Sequence, residues 1–154
     1  MRIIAGEKKS RRIEAPEGTD TRPTADRIKE ALFSILQRRL YDASVLDLYA
    51  GSGALSLEAL SRGAASAQLV DKNFKACKVI RQNIQSLGYE EKAQLMNTEE
   101  AKAVEMMEGQ GRTFDLIFLD PPYGKGLESK AIEGIKEFDI LSKGGIIVCE
   151  TRPD

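Results

Sequence analysis

The sequence predicts an α/β fold, a mostly parallel sheet with helices on both faces. Three observations predict it. From Val45 to Cys149, short β-prone runs alternate with stretches of helical periodicity, the order that builds parallel sheets. Phe114 to Leu119 is almost continuously apolar, as a strand covered on both faces must be. A glycine turn, Gly51-Ser52-Gly53, follows the first of these strands directly and opens a helix, the arrangement by which such sheets hold ligands at their strand ends.

The elements follow in order. Residues 2–5 and 11–15 read as extended stretches around Gly6-Glu7-Lys8-Lys9-Ser10, a small N-terminal β-hairpin. Pro16, Gly18 and Pro23 punctuate a loop, so residues 1–23 form a basic hairpin and loop and residues 24–154 the main domain. Thr24 is placed to cap a helix whose apolar face is Ala25, Ile28, Leu32, Ile35, Leu36 and Leu40. Val45 to Tyr49 is the first strand of the sheet, Ala54 to Arg62 a helix, and Ala67 to Val70 the second strand. Asn73 to Leu87 is a helix with Phe74, Cys77, Ile80, Ile84 and Leu87 inward, stopped by Gly88. Ala93 to Met96, Glu99 to Glu108, Phe114 to Leu119, Leu127 to Leu141 and Gly145 to Cys149 complete the alternation. The crossovers should be right-handed, with ligands beyond the C-terminal strand ends.

Composition narrows the chemistry. A chain of 154 residues, 42% hydrophobic and 31% charged, suits one globular domain. It contains no apolar run of membrane-spanning length, and MRIIAGEKKSRR lacks a signal-peptide core, so a cytoplasmic protein is expected, with no membrane partner. There is no histidine, which excludes Ser-His and Cys-His nucleophiles and the commonest zinc sites. Cys77 and Cys149 have neither metal-site nor disulfide-framework spacing and read as small buried hydrophobes; no metal is expected. Residues 1–40 hold ten Lys/Arg against six Asp/Glu, whereas residues 41–154 hold thirteen against eighteen. The surplus gathers at Arg2, Lys8, Lys9, Arg11 and Arg12, a basic arm on an acidic body that suits a polyanion.

Two signals carry the functional reading. The first is Asp47-Leu48-Tyr49-Ala50-Gly51-Ser52-Gly53-Ala54-Leu55. Its glycines permit a sharp turn and close approach of a ligand. A dinucleotide fingerprint wants a third small packing residue where Ser56 stands, and a P-loop wants Gly-Lys-Ser/Thr, which Gly53-Ala54-Leu55 does not supply. Asp47 would repel a pyrophosphate and would suit a cation. Asp71 ends the second strand 20 positions after Gly51, the usual spacing for a carboxylate on ribose hydroxyls; the plainer alternative is an Asp that caps the next helix. The loop Asn97-Thr98-Glu99-Glu100 would lie beside the base of such a nucleoside.

The second signal is Asp120-Pro121-Pro122-Tyr123, after the fourth strand. Two prolines stiffen the loop and hold two acceptors side by side, the Asp120 carboxylate and the Pro121 carbonyl. Paired acceptors suit an NH2 group with two protons to donate. The carboxylate would stabilise positive charge developing on that nitrogen, and Tyr123 would stack on the base that carries it.

At these residues the sequence resembles a known family. Asp-x-x-x-Gly-x-Gly followed by Asp-Pro-Pro-Tyr is the pattern of class I amino-methyltransferases, Rossmann-like enzymes that use S-adenosylmethionine. Ile3-Ile4-Ala5-Gly6, the run from Thr21-Arg22-Pro23-Thr24 to Leu32-Phe33, and Leu48 to Leu55 are similar to the RsmD family, which methylates the N2 amino group of a guanine in 16S ribosomal RNA. The resemblance spans essentially the whole chain. It implies Asp47, Ala50, Gly51 and Gly53 around the methionine moiety, Asp71 and Lys72 at the ribose, Glu99 or Glu100 near the adenine, and Asp120, Pro121, Pro122 and Tyr123 at the target base. Arg22, Pro23 and Thr24 would border the cofactor pocket with Arg27 nearby, and Lys8, Lys9, Arg11 and Arg12 would contact RNA phosphates. It implies ribosomal RNA as partner, alone or within a small-subunit particle. The family usually carries an Asp or Asn near the Glu99–Glu100 position. Its sheet continues past the fifth strand with an antiparallel pair, so a chain ending at Asp154 is expected to expose a hydrophobic edge. Competing readings are an adenine-N6 methyltransferase of DNA, since Asp-Pro-Pro-Tyr serves that amino group too, a non-catalytic cofactor-binding module in RNA assembly, and a nicotinamide dehydrogenase, opposed by Ser56 and Asp47.

Overall fold

The computed structural model describes residues 1–16, 23–120 and 127–149. Ten elements follow one another as α1 (Pro23–Leu40), β1 (Ser44–Asp47), α2 (Ala54–Ser61), β2 (Ser66–Val70), α3 (Phe74–Leu87), β3 (Ala93–Met96), α4 (Glu100–Gly109), β4 (Phe114–Leu119), α5 (Leu127–Phe138) and β5 (Leu141–Cys149). The five strands form one sheet in the order β3-β2-β1-β4-β5, and every pairing is parallel. β1 lies at the centre. Its Asp47 pairs with Leu69 of β2 on one side and Phe118 of β4 on the other. The chain steps outward from β1 through β2 to β3, then returns to the far side of β1 for β4. That reversal opens a crevice between the ends of β1 and β4.

Helices cover both faces, as the alternation predicts. On one side Phe33, Leu36 and Leu40 of α1, Leu57 and Leu60 of α2, and Ile80, Ile84 and Leu87 of α3 pack on Val45, Leu69, Leu116 and Phe118. On the other, Ala103, Val104 and Met107 of α4 and Ala131 and Ile135 of α5 pack on Leu46, Val70, Ile117 and Leu119. Successive strand residues serve opposite cores, which is why β4 is apolar throughout apart from Asp115.

The N-terminal hairpin is present and short. Arg2 and Arg12 form one antiparallel bridge, flanked by bonds from the Ile3 amide to the Arg11 carbonyl and from the Ser10 amide to the Ile3 carbonyl. Ile3 and Ile13 are buried in the same core as α1 to α3. The charged segment is therefore docked on the body, not a loose arm. Gly6 marks the closest approach: a Cβ there would lie 2.0 Å from the Ser61 carbonyl oxygen.

Five sequence expectations need correction. The buried face of α1 is Lys29, Phe33, Leu36 and Leu40, while Ile28 and Ile35 are exposed. The helix is rotated because Lys29 finds partners inside, the Glu58 carboxylate at 3.3 Å and the Arg2 carbonyl at 2.9 Å. Phe74, the first residue of α3, points outward at 69% exposure. α5 stops at Phe138, where Asp139 takes a left-handed φ of 51°. β5 starts at Leu141, four residues earlier than expected, but its regular register with β4 begins only at Ile146 after an irregularity. β1 ends at Asp47 and not Tyr49, as the chain turns into the glycine loop. Cys77 is buried and Cys149 is half-buried on β5.

Candidate active site

Three carboxylates converge on the crevice: Asp47 at the end of β1, Asp71 just past β2 and Asp120 just past β4. Their placement follows from the topology, since three neighbouring parallel strands all end at this rim. Asp47 is 1% exposed. Its Oδ2 accepts a hydrogen bond from the Ser56 hydroxyl at 3.2 Å, and its Oδ1 has no hydrogen-bond partner among the described residues. Burial pushes the carboxyl from 3.8 up to about 7; the Ser56 hydroxyl and the Tyr49 backbone oppose the shift, and the charges of Asp120 and Asp71 add to it. A buried acceptor without a donor costs free energy, and this one faces a cluster of like charges. The chemistry that would relieve both problems is a cation with N–H groups.

The glycine loop follows β1 and Asp47 and leads into α2. Gly53 adopts φ +82° as the residue before α2, and a Cβ there would press on Leu69 at 3.1 Å, so a left-handed residue without a side chain is required. The Gly51 α-carbon instead faces open space. Ala50 is buried, with its amide bonded to the Val70 carbonyl. Asp71 fixes the loop: its Oδ2 accepts from the Gly51 amide at 2.9 Å and its Oδ1 from the Asn73 amide at 2.8 Å. The capping of α3 itself falls to Asn73, whose side chain accepts from the Ala76 amide. A carboxylate offers about four lone-pair sites, so Asp71 keeps acceptor capacity after both bonds. Lys72 is exposed beside it, and Glu99 and Glu100 open α4 beyond β3, Glu99 exposed and Glu100 half-buried.

The remaining predicted residues divide. Arg22, Pro121, Pro122 and Tyr123 lie outside the described residues, and Pro23 and Thr24 open α1 with side chains outside the described set. Arg27 is exposed on the first turn of α1. Lys8, Lys9, Arg11 and Arg12 gather on the docked hairpin, away from the carboxylates in sequence and held by the body. Lys8 lies over the Tyr89 ring at 5.6 Å, Arg11 donates to the Ser86 carbonyl, and Arg12 pairs with Glu14 at 3.3 Å on the surface.

Sequence reasoning missed the polar residues that hold this assembly. Glu58 of α2 is fully buried, accepts from the Ile4 and Ala5 amides, and pairs with Lys29 and Arg62. Ser61 donates to the Ala5 carbonyl and accepts from the Lys8 amide. Ser56, weighed only as a misfit to a dinucleotide loop, is the partner of Asp47. Asn83 links the hairpin to the glycine loop. The available signal was position: each is a polar residue on the otherwise apolar core-facing side of its helix.

The family model described as "Conserved hypothetical protein 95" matches residues 1–154. The chain belongs to this family. Among its relatives is the Escherichia coli protein named Ribosomal RNA small subunit methyltransferase D, 34% identical over 152 residues, or 99% of this chain and 75% of the relative. A Bacillus subtilis protein provisionally named rRNA methyltransferase YlbH is 38% identical over 97% of this chain and 82% of its own length. A solved structure of an Escherichia coli protein, yhhF, provisionally named a methyltransferase, superposes with a TM-score of 0.84 at 30% identity, covering 98% of this chain and 80% of that one. The family resemblance and the fold class read from the sequence are both borne out.

Proposed function

We propose that this protein transfers a methyl group from S-adenosylmethionine to the exocyclic N2 amino group of a guanine in small-subunit ribosomal RNA. One observation carries the reading: three carboxylates lie at the ends of neighbouring strands beside a glycine loop, and the most buried of them has an oxygen with no hydrogen-bond partner among the described residues. The residues fit the cofactor. The amino-acid end of S-adenosylmethionine carries an ammonium that would satisfy Asp47 Oδ1, its ribose offers two hydroxyls to the spare acceptor capacity of Asp71, and the open side of Gly51 leaves room for close approach. A pyrophosphate would meet the same carboxylates with the wrong sign, which opposes a dinucleotide. When bound, the cofactor supplies an electrophilic methyl group on a sulfonium.

The protein's own part is to hold and to orient. In this reading Ala50, Gly51 and Gly53 shape the wall against the methionine end, Lys72 borders the ribose, and Glu99 or Glu100 flanks the adenine. Arg22, Pro23 and Thr24 border the pocket. Asp120 accepts a hydrogen bond from one N–H of the target amino group, and the Pro121 carbonyl accepts one from the other. Both acceptors fix the lone pair in one direction, and the Asp120 carboxylate offsets positive charge as it develops on nitrogen. Pro122 stiffens the loop and Tyr123 stacks on the base. Lys8, Lys9, Arg11 and Arg12 hold RNA phosphates. Names of relatives support ribosomal RNA as substrate; we extend this to a small-subunit particle or its naked RNA in the cytoplasm. Among the described residues no helix is long and apolar enough to cross a membrane.

The test is methyl transfer from labelled S-adenosylmethionine to bacterial 16S RNA, free and in 30S particles, with the product nucleoside identified. N2-methylguanosine is the expected product. Label on adenine N6, or none on RNA, would overturn the assignment.

A further inference from the structure

We infer that Asn83 is a positioning residue that couples the basic hairpin to the cofactor loop, so that occupancy of one changes the rigidity of the other. The inference rests on the function proposed above and adds a mechanical link to it. Asn83 lies in the middle of α3 and is 2% exposed. Its Oδ1 accepts from the Glu14 amide at 2.9 Å, and its Nδ2 donates to the Glu14 carbonyl at 2.8 Å and to the Ser52 carbonyl at 2.8 Å. Glu14 ends the second arm of the hairpin, directly after Arg11, Arg12 and Ile13. Ser52 stands between Gly51 and Gly53. One buried amide thus joins segments that are 69 and 31 residues away from it in sequence.

The chemistry of the link is specific. Two backbone groups of Glu14 and one of Ser52 require one acceptor and two donors from a short side chain. A primary amide supplies that set; a carboxylate would set oxygen against the two carbonyls, and an apolar side chain would leave all three backbone groups unpaired. Both Nδ2 protons are committed, so the Ser52 carbonyl cannot move without disturbing the bonds to Glu14. The hairpin is also fastened through Glu58 and Ser61 on α2, Lys29 on α1, and Ser86 and Tyr89 at the end of α3, and none of these bonds is to a glycine-loop atom. Loss of the Asn83 bridge would leave the hairpin docked while uncoupling it from the cofactor.

Hydrogen exchange on the full chain, with and without S-adenosylhomocysteine, tests this. In wild type the ligand should slow exchange of the Ile13 and Glu14 amides about fivefold or more beyond any slowing in α5, on the opposite face. In Asn83→Leu, close in size, the ligand should still protect residues 50–53, while Ile13 and Glu14 no longer respond beyond α5. Ile13 decides, because its amide bonds to the Met1 carbonyl and not to Asn83: a merely structural role would lower stability and leave its difference in response intact. Wild-type hairpin amides that respond no more than α5, or a hairpin response retained in Asn83→Leu, would overturn the coupling. Should Asn83→Leu fail to fold, the wild-type comparison decides alone. If calorimetry shows that wild type does not bind S-adenosylhomocysteine, the proposed function falls and the coupling with it; binding with a silent hairpin removes the coupling only.

Discussion

Asp47 should make cofactor affinity depend on pH in a range where this protein has little else to titrate. Its carboxyl stands at about 7 because it is buried, with Asp120 and Asp71 adding to the rise against the Ser56 and Tyr49 hydrogen bonds. An ammonium group against Oδ1 favours the ionised form, so binding and deprotonation are linked. A carboxyl with a midpoint of about 7 is about nine-tenths ionised at pH 8 and about one-tenth at pH 6. Affinity for S-adenosylhomocysteine, which keeps the ammonium and lacks the sulfonium, should therefore fall about tenfold from pH 8 to pH 6. Binding at pH 6 should release about one proton, measurable by calorimetry in two buffers of different ionisation enthalpy. With no histidine in the chain, no imidazole obscures the effect. Asp47→Asn should bind weakly, with the same affinity at both pH values. A wild-type affinity that stays flat between pH 6 and 8 would refute the reasoning.

The same carboxyl sets a stability trend of definite sign. Its folded value is raised above the unfolded one, so its contribution is fully present below pH 3.8 and is lost as pH rises through about 7. A rise from 3.8 to about 7 corresponds to at most about 4 kcal/mol. Asn at this position keeps an acceptor for Ser56 and carries no charge. Without cofactor, Asp47→Asn should melt above wild type at pH 8 and close to it at pH 4.

Other positions give separate readouts. Asp71→Ala should weaken S-adenosylhomocysteine binding in calorimetry, both by losing the ribose acceptor and by freeing the Gly51 amide; equal affinity would remove Asp71 from the site. Asp120→Ala should lower single-turnover methyl transfer about a hundred- to a thousandfold with cofactor binding nearly intact, and a rate within about tenfold of wild type would exclude this role. Tyr123→Ala should weaken base capture while Tyr123→Phe keeps most activity, since stacking needs the ring. Replacing Lys8, Lys9, Arg11 and Arg12 together should weaken RNA binding and flatten its salt dependence; an unchanged salt slope would place the RNA elsewhere.

Most of the fold was legible because its signals are local. β3 and β4 match their expected residues end for end, each being an apolar run flanked by polar or turn-forming residues. Gly88 ends α3 in a left-handed conformation as expected of a glycine there. Errors arose where a long-range partner overrode a local preference. A hydrophobicity pattern places Ile28 and Ile35 inward on α1; nothing local reveals that Lys29 will be neutralised by Glu58, 29 residues on. Likewise Asp139 and Gly144, both at positive φ, set the end of α5 and the irregular start of β5 by backbone conformations that periodicity does not encode.

The site divides in the same way. Asp47, Gly51, Gly53 and Asp71 were legible because a turn after a parallel strand constrains which residues can stand there. The supporting side chains were not, yet the sequence marks them. In Ala54–Ser61 the charged Glu58 sits among Leu57, Ala59 and Leu60, and in α3 Asn83 falls on the stripe of Ile80, Ile84 and Leu87. A polar side chain at a core-facing position must find hydrogen-bond partners or destabilise the fold. Its presence therefore forecasts a tie to some distant backbone, while the choice of backbone is made only when the chain closes on itself. Here the closure brings Ile4 and Ala5 to Glu58, and Glu14 and Ser52 to Asn83. The hairpin and the glycine loop thus share the buried Asn83 amide, which gives a change at the hairpin a physical route to the loop.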